Sequence, residues 1–175
     1  TKKITFFVIA MFSLTIASAQ VKLEKIKGSK IVTVTIKEIE TFENVEIQQF
    51  LDVYFVKSDK TSIEIEADDN LHDILSYTVT GKTLNLTALK EPTGEKKFTI
   101  RVNYTSDLKT ITARNESKIN ALAAIDLEDI TIKNFDKSQS FINVKSTNFK
   151  LIMTDKSRAE LNIKSDTTKI ELSKD

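Results

Sequence analysis

An all-β fold is expected from three observations. Apolar and polar residues alternate along most of the chain, a period that sends every second side chain of a strand to one face. Only one short stretch has helical character. From about residue 107, short units of similar form recur at nearly twenty residues, as in the coils of a β-solenoid. A meander or β-sandwich with evenly spaced strands is the alternative.

The chain opens with Thr1-Lys2-Lys3, an uncharged apolar run from Ile4 to Ile16, and Ala17-Ser18-Ala19-Gln20. A basic start, a short apolar stretch and a small-x-small site are the parts of a secretory signal peptide over residues 1–19, cleaved between Ala19 and Gln20. A membrane-spanning helix needs about 20 apolar residues, more than this run supplies. With no Cys in the chain, no lipid-modified Cys is expected after cleavage. Residue 1 is Thr, and the sequence stops in mid-alternation at Ile170-Glu171-Leu172-Ser173-Lys174-Asp175, so truncation at both ends is expected.

Residues 20–41 form a lead-in containing a first strand, and residues 42–175 a single β domain. Strands with one buried face are expected at Val32–Ile36, Val45–Ile47, Ile63–Glu66, Leu84–Thr87 and Phe98–Tyr104. Leu51–Val56 turns apolar on both sides, which marks a more central strand. Turn residues lie between them at Lys57–Lys60, Thr80–Lys82 and Glu91–Glu95. In Asp68–Leu75, an Asx cluster caps one or two helical turns that point Leu71, Ile74 and Leu75 inward.

The recurring units are Asp107–Ile111, Asp126–Ile130 and Asn148–Ile152, each opening with Asp or Asn, then an apolar residue, two others and an Ile. Each passes a polar corner (Asn115–Lys118, Asp136–Ser138, Asp155–Arg158) into a second strand near Ile119, Ile142–Val144 or Leu161–Ile163.

Phe42–Ile47, Leu51–Phe55, Ile63–Leu71 and Gly81–Leu86 resemble, in order, the first half of the bacterial domain of unknown function 2807, the "putative auto-transporter adhesin, head GIN domain" family. The string Glu66-Ala67-Asp68-Asp69-Asn70-Leu71, followed by the hairpin Gly81-Lys82-Thr83-Leu84, is its most specific part, and the units after Leu108 resemble the family's repeated coils with Ser-rich corners. The resemblance implies a right-handed, single-stranded β-helix-like solenoid, exported to the periplasm or cell surface. It implies no chemistry. Family corners usually carry Gly beside Ser, whereas here Glu116, Lys137 and Lys156 precede Ser117, Ser138 and Ser157. Wider or differently aligned corners are therefore expected.

The composition narrows function further. Removing the leader leaves 24 basic and 25 acidic residues, without the basic excess that a nucleic-acid partner requires. An exported chain without Cys has no disulfide framework, so its core must hold it. His72 is the sole His, and with no Cys there is no zinc set; it is read as a surface residue. Asp68, Asp69 and Asp73 are weak candidates for a calcium site, but they lack the alternation of a calcium loop, and a helix cap with a turn accounts for them as well. Tyr54, Tyr77 and Tyr104 are read as packing residues, and the Asn85, Asn103 and Asn115 sequons as strand and corner residues. Without Trp, a sugar-cleaving groove would lack its stacking platforms. No catalytic residue, cofactor or metal is assigned. The expectation is an exported, noncatalytic interaction module, adhesin-like or structural in the envelope, with an unknown protein or glycan as partner. A carbohydrate-active enzyme and a periplasmic sensor or assembly factor are the alternatives.

Overall fold

The alternating stretches are strands in a computed structural model of the protein, which describes residues 22–154 and 156–174. The leader, its cleavage point at Ala19 and Gln20, and the corner residue Asp155 lie outside the described residues. In chain order the strands are β1 (Lys25–Lys27), β2 (Val32–Glu38), β3 (Asn44–Gln48), β4 (Asp52–Lys57), β5 (Ser62–Asp68), β6 (Leu75–Thr80), β7 (Thr83–Ala88), β8 (Glu91–Thr93), β9 (Phe98–Tyr104), β10 (Thr110–Ala113), β11 (Lys118–Ala121), β12 (Ile125–Asp126), β13 (Asp129–Asn134), β14 (Gln139–Thr154) and β15 (Arg158–Ser173). A 3₁₀ helix, Asp69–Ile74, joins β5 to β6 and buries Leu71 and Ile74.

Apart from the small β1–β8 pair, the strands make one open, curled sheet with two arms. One arm runs β2-β5-β9-β4-β11 to the first half of β14. The other runs β6-β7-β3-β10-β13 to its second half, so β14 crosses from arm to arm. β15 then lies parallel along the length of β14. Antiparallel pairing is confined to β2–β5, β5–β9 and β6–β7, at the end away from β15.

Period-two patterning fixes which face each strand buries. Val45 and Ile47 of β3, Val53 and Phe55 of β4, and Ile100 and Val102 of β9 are essentially inaccessible and join one hydrophobic cluster fed by both arms. β4 lies between β9 and β11, the central position its apolar pattern implies. Tyr104 packs its ring 6.2 Å from that of Phe55, and burial, together with the nearby Asp126 charge, pushes its phenol up to about 12. β2 departs from expectation. Among the described residues it is an edge strand paired with β5 alone, and Val34 and Ile36 are 56% and 62% exposed, so neither face is buried. The Glu91–Glu95 stretch is also more than a turn, because Pro92 sits in β8 and so at a sheet edge, where a missing N–H is tolerated.

The repeats stack, but not in the register read from the sequence. Thr110 aligns with Thr131, while Asp129 aligns with Asn148 and Asn148 with Thr167, the first offset being longer than the two that follow. Ile111 therefore sits over Ile132, not over Ile130, and Ile130 sits over Phe149. The slip arises because residues 122–128 make an extra loop with the short strand β12, and the Leu127 N–H there is held by the Lys145 carbonyl. Two of the three second strands follow expectation, with Leu161 over Ile142 and Ile163 over Val144, whereas Ile119 sits over Ser140 rather than Ile142.

The corners are tight, contrary to the wider form expected without Gly. Asn115 and Glu116 both have positive φ, as do Asp136 and Lys137. Ser117 N–H donates to the Arg114 carbonyl at 3.1 Å, and Ser138 N–H to the Phe135 carbonyl at 2.9 Å. Two left-handed residues closed by such a bond form a type I′ turn, here built without Gly. Neighbouring corners are tied by Glu116 N–H to the Asp136 carbonyl at 3.0 Å, and the Arg114 guanidinium lies 4.4 Å from the Phe135 ring centre. Ser117 is buried and its hydroxyl reaches the Ile47 carbonyl at 3.2 Å, so the corner Ser satisfies backbone that the turn leaves free.

Candidate binding face

Of the carboxylates singled out in the sequence, Asp68 is a structural anchor. Its side chain accepts backbone N–H bonds from Lys30 at 2.8 Å, Lys97 at 3.0 Å and Lys96 at 3.1 Å. Burial is the strongest influence on this group and acts to raise its pKa, but the three amides and the Lys30 charge outweigh it and the pKa is lowered. Donors aimed at a carboxylate fill the lone pairs that a cation would use. Gly28 is required here, since a Cβ at that position would run into Asp68 Oδ2 and lie 2.7 Å from the Glu95 Cα. Asp69 takes the Ser29 hydroxyl at 2.5 Å, Asn70 bonds Ser29 N–H and the Lys27 carbonyl, and Asp73 is exposed. The Asx string thus pins the lead-in to the domain rather than capping the helix, whose N-cap makes no side-chain bond. Among the described residues no group of three or more His, Cys, Asp or Glu is placed to hold a metal. His72 is half-buried, with Nε2 2.8 Å from the Thr33 hydroxyl, and so ties the helix to edge strand β2.

A seven-strand row of outward side chains that includes two aromatic rings lies on the β2-to-β15 arm. Register places Ile36, Glu64, Arg101, Tyr54, Asn120, Phe141 and Glu160 in one row across seven strands. Tyr54 points outward because its neighbours Val53 and Phe55 are buried, and Phe141 because Ser140 and Ile142 are. Beside this row lie Asp52, Lys118, Gln139 and Arg158 on one flank, and Val56, Asn143 and Asn162 on the other. Leu122, just past β11, is 63% exposed.

The charges on this face are matched. Arg101 Nη1 meets Glu64 Oε1 at 2.5 Å, Lys97 meets Glu66 at 3.3 Å, and Arg158 contacts Glu160. The Asn120 amide donates to Asp52 Oδ1. At the β15 end, Ala121, Phe141, Ile142, Asn143, Glu160, Leu161 and Asn162 line a shallow depression of about 330 Å³. The face combines two half-exposed aromatic rings, four amides and three paired carboxylates, which suits recognition by stacking and hydrogen bonding more than by net charge. Reading Tyr54 as a packing residue missed this row. The signal available was parity, since both rings occupy the polar phase of their strands.

The fold is all-β, an open curled sheet with almost no helix among the described residues. A family profile described as "Putative auto-transporter adhesin, head GIN domain" matches residues 41–175, and the chain belongs to that family. Two solved structures share the fold. A protein from Parabacteroides distasonis described as a putative lipid binding protein superposes with a TM-score of 0.68 at 16% identity, over 85% of this chain and 65% of its own. A putative adhesin from the same organism gives 0.66 at 17% identity, over 86% and 66%. The chain thus spans just under two thirds of the length of these relatives. No curated protein matches it. No helix among the described residues is long and apolar enough to cross a membrane.

Proposed function

We propose that this chain is an exported, noncatalytic interaction module of the bacterial envelope, adhesin-like in action, with the β2-to-β15 face as its contact surface. The observation that carries the reading is the pair of outward aromatic rings, Tyr54 and Phe141, set among amide side chains on a face that six inter-strand steps make about 29 Å wide. Family membership and two neighbours named as an adhesin and a lipid-binding protein agree with a binding role. The parallel half is proposed to be a right-handed β-solenoid, a reading supported by the nearly constant offset between strands that stack in register. A leader over residues 1–19, cleaved after Ala19, delivers the chain to the periplasm or cell surface.

The test is protease shaving of intact cells expressing the full chain, paired with binding of the purified chain to envelope preparations. Cleavage on intact cells and saturable envelope binding are the expected results. Absence of binding at micromolar concentration removes the interaction reading, and protection until the outer membrane is opened removes the surface location.

A further inference from the structure

We infer that the face around Tyr54 and Phe141 binds an extended, uncharged oligosaccharide laid across the strands, with one sugar ring on each aromatic ring. The inference rests on the reading of the chain as an interaction module and names its ligand class. Tyr54 and Phe141 share a row and are separated by the single strand that carries Asn120. Two inter-strand steps put their backbones about 9.5 Å apart, close to the repeat of two pyranose units in an extended chain. Both rings are half-buried, which holds them in place while leaving part of each to stack on the apolar face of a sugar.

Between and beside the rings lie groups that read hydroxyls. Asn143 and Asn162 stand side by side in register, and with Glu160 they border the depression at Phe141. An amide supplies both donor and acceptor and a carboxylate accepts, which is the mixed pattern that a polyol presents in complement. The ion pairs Arg101–Glu64, Lys97–Glu66 and Arg158–Glu160 leave little net charge over the row, so an anionic polymer gains little there. A protein partner needs a desolvated pocket for an anchoring side chain. This depression is shallow and bordered by amides, which favours the sugar.

The experiment titrates the full chain with cellohexaose and, separately, chitohexaose, by calorimetry and by amide chemical shifts, alongside binding to whole envelopes. Saturable binding to at least one hexasaccharide is expected, weakened tenfold or more in Tyr54→Ala and in Phe141→Ala. It should stay within threefold in Tyr54→Phe, and unchanged in Thr131→Ala on the other arm. Unaltered far-ultraviolet dichroism and thermal midpoint in the alanine variants separate loss of the site from loss of fold. Absence of saturable binding to both probes overturns the inference, as does binding that neither alanine variant weakens. If the wild type binds envelopes while both hexasaccharides fail, the sugar is wrong and the module reading survives; if it binds neither, both fall. Envelope binding abolished by protease treatment of the envelopes but not by periodate oxidation assigns the face to a protein and overturns the inference.

Discussion

Left-handed backbone at Asn115, Glu116, Asp136 and Lys137 is carried by residues with a Cβ, a conformation that costs roughly 1–2 kcal/mol per residue outside Gly. Glu116→Gly and Lys137→Gly remove that strain and give back part of the gain as unfolded-state entropy. Each should stabilise the protein by about 0.5–1 kcal/mol, read as a higher urea midpoint at constant slope. Gly28→Ala acts in the other direction, because the added methyl meets the Asp68 carboxylate and the Glu95 backbone. A loss of about 1–3 kcal/mol is expected in the same urea assay. Glu43 is a third residue-scale case. Its carboxylate holds Lys109 at 2.6 Å and Lys82 at 2.5 Å, and these bonds bring its pKa down to about 2. A lowered folded-state pKa means that the contribution is complete above the ordinary value of 4.5 and lost as pH falls toward 2. Glu43→Gln should therefore flatten the acid limb of a stability-versus-pH curve below about pH 4.5 while leaving its shape near neutrality unchanged.

At the scale of the elements, burial separates strands that look alike in sequence. Val32–Ile36 and Phe98–Tyr104 alternate equally well, yet β9 is flanked on both sides and β2 on one. Ile111→Ala, inside the stack, should cost about 2–5 kcal/mol, whereas Ile36→Ala on the edge should change stability by less than about 0.5 kcal/mol, both measured by denaturant unfolding. The same contrast explains what the sequence made legible. Strand positions, the inward phase of Val53 and Phe55, the central place of β4 and the corner Ser residues all follow from local patterning. The exposure of β2 does not, since it depends on where the sheet stops. Nor does the register of the repeats, because the loop at 122–128 inserts residues whose apolar Ile125 and Leu127 mimic the start of a repeat. The row of Tyr54, Asn120 and Phe141 is assembled by parallel pairing of β4, β11 and β14, which lie far apart along the chain, and no window of sequence contains it. Asp68 read as a cap or ligand for a similar reason, since its three N–H partners come from distant segments.

For the molecule as a whole, the core and the ionisable groups set a pH window. On the alkaline side Tyr104 is raised to about 12, by burial first and by Asp126 second. The folded state then holds a proton that the unfolded chain releases near pH 10, so stability is complete below about pH 10 and falls as pH climbs toward 12. Tyr104→Phe should keep the ring contact with Phe55 and lose that alkaline decline, a change visible as a flatter thermal-midpoint curve between pH 9.5 and 11.5, both values being roughly those that bracket the unfolded phenol.

In-register parallel stacking also has a mechanical consequence. The hydrogen bonds between β13, β14 and β15 run from strand to strand, along the direction in which these parallel strands are stacked. Tension applied along that direction loads one row of bonds at a time and strips strands as a zipper opens. Tension applied along β14 itself loads its full ladder with β15 at once. Forced unfolding responds to the rate of the first rupture rather than to equilibrium stability. A tether that pulls these strands apart from one another should therefore lengthen in small steps at low force, and one pulled along β14 should hold to a higher force and then yield in a single event. Load that arrives sideways to the stack is the load this sheet resists best.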